Sequence, residues 1–360
     1  MNLGGLPETP SGQAASGSGR TRGVSGWILR FDLHGRTTRP TTGTRMIPPR
    51  LFSNVRPSGC RLRLPGLPTL LALGALLGLT MGLIQAADLP GLRRTEVIYG
   101  RKFGTALTLD VLQPARTNGL GVIWVISGGF YSDHNAINPA YCQALFDAGY
   151  TVFAVVHGSQ PRYTILEIAD DLHRAVRWIR HHAADYSVHP DRLGVFGASA
   201  GGHLSLTLGT QGRDGDPKAK DPVDRQGSRV QAVACFFPPT DFENWGAPGD
   251  TQVGVGKVGR QFYGAFGSPS DTLEGRLEYG RRISPIHFVT RDMAPTLVIH
   301  GEADGLVPIH QAEIFETKAR EAGAVFQLVR LPGKDHGWPG MEKDIAQFAQ
   351  WFDRHLKPVR

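Results

Sequence analysis

A serine hydroxyl becomes a useful nucleophile when the chain lifts it out of a sharp turn and supplies a base. Ser199 has the first half of that arrangement in its own neighbours. It lies in Leu193-Gly194-Val195-Phe196-Gly197-Ala198-Ser199-Ala200-Gly201-Gly202-His203-Leu204, an apolar run that breaks into Gly-x-Ser-x-Gly and resumes as an apolar-periodic segment. The spacing predicts strand, turn and helix, with Ser199 strained at the turn and Gly197 and Gly201 letting strand and helix approach without a Cβ between them. The helix N-terminus behind it favours negative charge developing on a reacting oxygen. Taken alone, a five-residue match also fits an inert Gly/Ser turn. The rest of the chain decides.

A base and an orienting acid have candidates downstream. Asp304 lies in the run His300 to Pro308, just past the apolar strand Thr296 to Ile299, and His336 lies in Leu331 to Trp338, just past the last strand. Parallel strands present the loops at their carboxyl ends along one edge, so the chain order Ser199, Asp304, His336 predicts one site there. Backbone N–H groups for a developing oxyanion are expected from Ala200 and from Gly129 or Phe130, in Ser127-Gly128-Gly129-Phe130 after the third strand, where close backbone approach counts for more than side chains.

Other candidates carry less chemistry. Asp335 adjoins His336, and adjacent side chains diverge; Glu302 and Asp292 are similar outsiders. His157 and His203 read as packed or supporting residues and His300 as the end of a strand. His181, His182 and Asp185 allow a metal pair at a helix end, where cationic side chains are favourable without any metal. Asp214, Asp216, Asp221 and Asp224 share a loop that lacks the final Glu of a calcium site. No metal and no cofactor is implied.

The elements that must position these residues follow from periodicity. Thr95 to Tyr99 and Ala106 to Leu112 read as an opening antiparallel hairpin, and Gly121 to Ile126, Tyr150 to Val156, Val230 to Phe237, Thr296 to His300 and Phe326 to Leu331 as further strands. Helical spacing marks Pro139 to Ala148, Thr164 to His182, Ile309 to Ala322 and Met341 to His355. Alternation from Gly121 onward predicts an α/β fold, a mostly parallel eight-stranded sheet with helices on both faces. Pro238 to Ser284 interrupts that rhythm and is read as a short lid insertion between strands 6 and 7. Its aromatic residues form a satellite core on one reading and a substrate pocket of Phe242, Trp245 and Tyr263 on the other.

Over 360 residues the net charge is +7, but ten of the 39 basic and only two of the 32 acidic residues fall in positions 1–87, leaving 29 against 30 in the remainder. A nucleic-acid footprint on the folded part therefore has no charge behind it. Residues 1–45 are Gly-, Ser-, Pro- and Arg-rich, a disordered leader or a mis-assigned start, with Met46 as the expected true one. Arginines, then the apolar run Leu67 to Ile84, then Gln85-Ala86-Ala87 give 46–87 the order of a signal peptide. A retained membrane anchor is the rival reading, with Pro68 favouring cleavage near Ala87 and export to the periplasm or outside. Residues 88–360 form the expected folded domain. Cys60 precedes the apolar run, and Cys142 and Cys235 read as buried hydrophobes.

Gly197-Ala198-Ser199-Ala200-Gly201-Gly202-His203, Ser284-Pro285-Ile286, the His300 to Pro308 run and His336-Gly337 together resemble the α/β-hydrolases of esterase/lipase type, most of all the dienelactone-hydrolase and feruloyl-esterase-like (BD-FAE) group. The resemblance runs from about Thr95 to the end. It implies Ser199 as nucleophile, His336 as base and then acid, Asp304 as orienting carboxylate, and a small-molecule or polysaccharide ester as substrate, acetyl or feruloyl xylan among them. In this family a His usually begins the Gly-rich loop after the third strand, whereas this chain has Ser127 there. The oxyanion hole is expected to survive with an altered shape, and His134 is the nearby candidate to substitute. A prolyl-oligopeptidase-like peptidase or an amidase shares the triad order, and a non-catalytic binding module on the same fold is the alternative outside enzymes.

Overall fold

The structure, a computed structural model, describes residues 91–358. The leader, the Leu67 to Ile84 run and Cys60 lie outside the described residues. Strands β1 (Gly91–Lys102) and β2 (Thr105–Pro114) form the expected antiparallel hairpin, longer at both ends than the alternation alone marked. Strands β3 (Gly121–Ile126), β4 (Thr151–Val156), β5 (Leu193–Ala198), β6 (Ala232–Phe236), β7 (Thr296–Gly301) and β8 (Phe326–Leu331) run parallel, and β2 joins β4 antiparallel.

The strand order is β1-β2-β4-β3-β5-β6-β7-β8. The chain steps outward from β3 to β4 and then crosses back past β3 to β5. The carboxyl ends of β3 and β5 therefore flank the point where the winding reverses, which is where open α/β sheets bind ligands.

Both sheet faces are covered, so the central strands are apolar on both sides rather than alternating with polar residues. Ile123 and Val125 of β3 and Val195 of β5 join one core with Leu172 and Val176 of α2 (Ile165–His181) and Leu204 of α3 (Ala200–Thr210). Val122, Trp124 and Phe196 join the other with Leu145 of α1 (Gln143–Asp147) and Phe348 and Phe352 of the C-terminal helix. Cys142 and Cys235 are buried and unpaired, and burial pushes both thiols up. The acid-rich loop closes on α2, where Arg174 bonds Asp221 at 2.6 Å and Asp224 at 2.7 Å.

The insertion lies between β6 and β7 and holds three short helices: α4 (Gly256–Gln261), α5 (Tyr263–Phe266) and α6 (Leu273–Ile283). It is tied down from α7 (His310–Ala322), whose fully buried Gln311 accepts N–H bonds from Thr240 and Asp241, both at 2.8 Å. The Gln311 amide also donates to the carbonyls of Asn244 and Trp245. The C-terminal helix α8 (Met341–Leu356) closes the fold. No helix among the described residues is long and apolar enough to cross a membrane.

Candidate active site

Ser199 sits between β5 and α3 at φ 54°, ψ −120°, in a region that residues with a Cβ seldom adopt. Such a conformation costs about 1–3 kcal/mol and persists only where its surroundings enforce it. Here the Ser199 N–H donates to the Phe236 carbonyl of β6 at 3.0 Å, and its own carbonyl accepts from the His203 N–H at 2.9 Å. The flanking glycines are required by contact: a Cβ on Gly197 would lie 2.5 Å from the Gly201 carbonyl oxygen, and one on Gly201 would lie 2.7 Å from that of Val125. Neither neighbour is a side chain that can swing aside. Gly197→Ala is accordingly expected to cost about 1–3 kcal/mol, a Tm drop of about 2–10 °C; an unchanged thermal melt would contradict the tight turn.

The loops after β7 and β8 bring two further groups to the hydroxyl. His336 Nε2 lies 2.9 Å from Ser199 Oγ, and His336 Nδ1 lies 2.8 Å from Asp304 Oδ2. The imidazole rests on Phe237, with ring centroids 4.4 Å apart, and is 19% exposed, while the Asp304 carboxylate has no exposure. Asp304 faces donors only. Its Oδ1 accepts from the N–H groups of Leu306 at 2.9 Å and Val307 at 2.8 Å. Its Oδ2 is shared between His336 and His300 Nε2, which is 3.3 Å away and also donates to the Val307 carbonyl at 2.8 Å. Burial pushes the Asp304 carboxyl up, but the hydrogen bonds from His300 and His336, the His336 charge and the Val307 N–H outweigh it and hold the group well below the usual carboxylate range.

A carboxylate that only accepts fixes the His336 tautomer. Nδ1 must carry the proton, so Nε2 presents a lone pair to the Ser199 hydroxyl. That arrangement can draw a proton from Ser199 as it attacks.

A cavity of about 20 Å³ borders Ser199, with Gly129, Phe130 and Ala200 on one side and Phe242, Trp245 and Phe262 of the insertion on another. A cavity of about 840 Å³ between β1, α2 and the acid-rich loop contains none of these groups. Phe242 is buried among Phe130, His203, Trp245 and Phe266, so the aromatic residues form both a satellite core and one wall of the cavity. Tyr263 departs from the expectation. It is 45% exposed, its hydroxyl bonds Asp271, and it does not border the cavity. Phe262 takes that place because α5 begins at the next residue and turns Tyr263 outward, while the Phe262 ring stands where a Cβ on Gly129 would be, at 2.4 Å.

The remaining histidines divide by environment. His203 and His157 are buried, and burial pulls each down to about 4, so both are neutral packed residues. His300 lies at the end of β7, one residue before its last, but its contact with Asp304 was not visible in the spacing. His134 does not stand in for the absent loop histidine: its Nε2 lies 2.8 Å from Thr108 Oγ1 and its ring faces Asp110, both on β2. Asp335 stays apart from the His336 ring and instead accepts from the N–H groups of Gly305 at 2.9 Å and His336 at 2.7 Å, fixing the two loops to each other.

Residues 109–319 match the BD-FAE family model, a span that includes Ser199 and Asp304 and stops short of His336. The chain is 26% identical over 271 residues to esterase LipQ of Mycobacterium tuberculosis, covering 71% of this chain and 61% of LipQ. It is 27% identical over 234 residues to the probable carboxylic ester hydrolase LipM of the same organism, covering 63% and 51%. It thus spans between half and two thirds of the length of these curated relatives. A truncated form of a carbohydrate esterase from gut microbiota superposes with a TM-score of 0.63 at 25% identity, over 75% of this chain and 99% of that one.

Proposed function

The chain belongs to the BD-FAE family, and from that premise we propose that it hydrolyses carboxylic esters through an acyl-enzyme on Ser199. The observation that carries the reading is the unbroken line of hydrogen bonds from Ser199 Oγ through His336 to Asp304, at 2.9 and 2.8 Å. Ser199 Oγ attacks the ester carbonyl while its proton passes to His336 Nε2. Negative charge then collects on the carbonyl oxygen, beside the N–H groups of Ala200 and the Gly129–Phe130 loop, where each well-aimed donor contributes about 10²–10³ in rate. The alcohol leaves with the proton from His336, and a water that gives a proton to the same nitrogen releases the acid.

A short acyl group is the one that fits the cavity beside Ser199. About 20 Å³ is space for roughly one water-sized group, enough for the methyl of an acetyl group and far too little for a feruloyl ring. The walls are aromatic side chains packed on one another, which yield at a cost. An acetylated polysaccharide fits this reading, as does a small acetate ester. Along a series of p-nitrophenyl esters, kcat/KM is expected to fall by about 10- to 200-fold once the acyl chain outgrows the cavity, with feruloyl xylan turned over more slowly than acetyl xylan. Octanoate or ferulate hydrolysed as fast as acetate would contradict it. Export through the 46–87 leader belongs to the same proposal, and N-terminal sequencing of the mature protein tests it by starting, or not, near residue 88.

A further inference from the structure

We propose that Gln160 is the positioning residue of the oxyanion hole, orienting the loop that here begins with Ser127 where the family usually has a histidine, an inference that rests on the ester-hydrolase reading above. Ser127 cannot do it, since its buried hydroxyl has no hydrogen-bond partner among the described residues. The loop that follows it is held from outside, by the segment leaving β4. The His157 N–H donates to Ser132 Oγ at 3.2 Å, the Ser132 N–H donates to Ser159 Oγ at 2.9 Å, and the Ser159 hydroxyl donates back to the Ser132 carbonyl at 3.1 Å. These bonds fix where the loop lies.

Gln160 sets which way its peptides face. The Gln160 side-chain Nε2 donates to the Gly129 carbonyl at 2.6 Å, and its backbone N–H donates to the Phe130 carbonyl at 3.2 Å. The amide orientation is fixed by chemistry, because a carbonyl oxygen can only accept. In a trans peptide the carbonyl and the following N–H point in opposite directions. Drawing the Gly129 carbonyl toward Gln160 therefore turns the Phe130 N–H the other way, and among the described residues that N–H has no protein acceptor. Gly129 and Phe130 both have left-handed backbones, at φ 54° and 65°, a pair the chain would not hold unaided. Gln160 is itself 5% exposed and pressed by α5, where a Cβ on Gly264 would lie 2.8 Å from its Oε1. The side chain cannot simply swing away.

Gln160→Met keeps the length and removes the donor, leaving the peptide free to rotate. The expected result is a kcat for p-nitrophenyl acetate about 10- to 100-fold lower with KM held within about threefold, because the hole acts on the charged intermediate more than on the bound ester. The Ki of a trifluoromethyl ketone, whose adduct places an oxyanion in the hole, should rise by the same factor. An unchanged kcat, a loss confined to KM, or a loss of kcat with no change in that Ki overturns the assignment. Should Gln160→Met not fold, Gln160→Leu also lacks any donor for the Gly129 carbonyl, so it must lose a comparable share of kcat. Ser199→Ala measured alongside separates the two claims. If it retains turnover, the hydrolase reading fails; if it is inactive while the Gln160 variants keep wild-type kcat, only the role of Gln160 fails.

Discussion

Ser199→Ala is expected to lower kcat for p-nitrophenyl acetate by about 10⁶-fold while the protein keeps its fold. The large effect follows from what His336 faces. Its Nε2 has one acidic proton in reach, the Ser199 hydroxyl at 2.9 Å, and without it the base has nothing to activate at the carbonyl. Stability should change little, because alanine retains the Cβ that already sits at φ 54° and the backbone bonds to Phe236 and His203 are untouched. A residual rate about 10³–10⁴ above water is expected from the N–H donors alone. The measurement is steady-state kinetics beside a near-ultraviolet circular dichroism spectrum, and a kcat within tenfold of wild type would end the assignment of Ser199 as nucleophile.

Asp304→Asn should cost nearly as much, about 10⁴-fold in kcat, for a reason specific to the crowd of donors around this side chain. The asparagine oxygen can still serve Leu306 and Val307, which leaves its NH₂ facing His336 Nδ1 and His300 Nε2. Two N–H groups cannot share that contact. His336 then takes the other tautomer, with its proton on Nε2, and can no longer accept from Ser199. Loss at neutral pH with a normal circular dichroism spectrum is the expected result, with partial recovery at alkaline pH, where hydroxide competes for the serine proton. If Asp304→Asn keeps wild-type kcat, the orienting role belongs elsewhere, with Asp335 the first residue to test.

How much of this was legible in the sequence depends on what carried the signal. Periodicity located all eight strands and the long helices, because strands covered on both faces are apolar throughout and α2 repeats its buried side at steps of three and four. The three side chains that meet at Ser199 were legible because each follows a strand that must end at the same edge. Contacts between distant loops left no such trace. Nothing in the spacing of His300 marks it as a second donor to Asp304, since that depends on how the 300–308 turn folds back. Phe262 and Tyr263 are adjacent aromatic residues, and only the start of α5 between them decides which points inward. Gln160 was missed for a different reason: its function passes through backbone carbonyls of a loop 30 residues earlier, and a carbonyl has no sequence identity.

The central claim, that Ser199 is activated by His336 for attack at an acyl centre, is tested most directly by a fluorophosphonate probe followed by peptide mass spectrometry. One equivalent bound at Ser199, absent from Ser199→Ala and sharply slowed in His336→Ala, is the predicted result. No adduct on the folded protein, or an adduct on another residue that survives in Ser199→Ala, would contradict it.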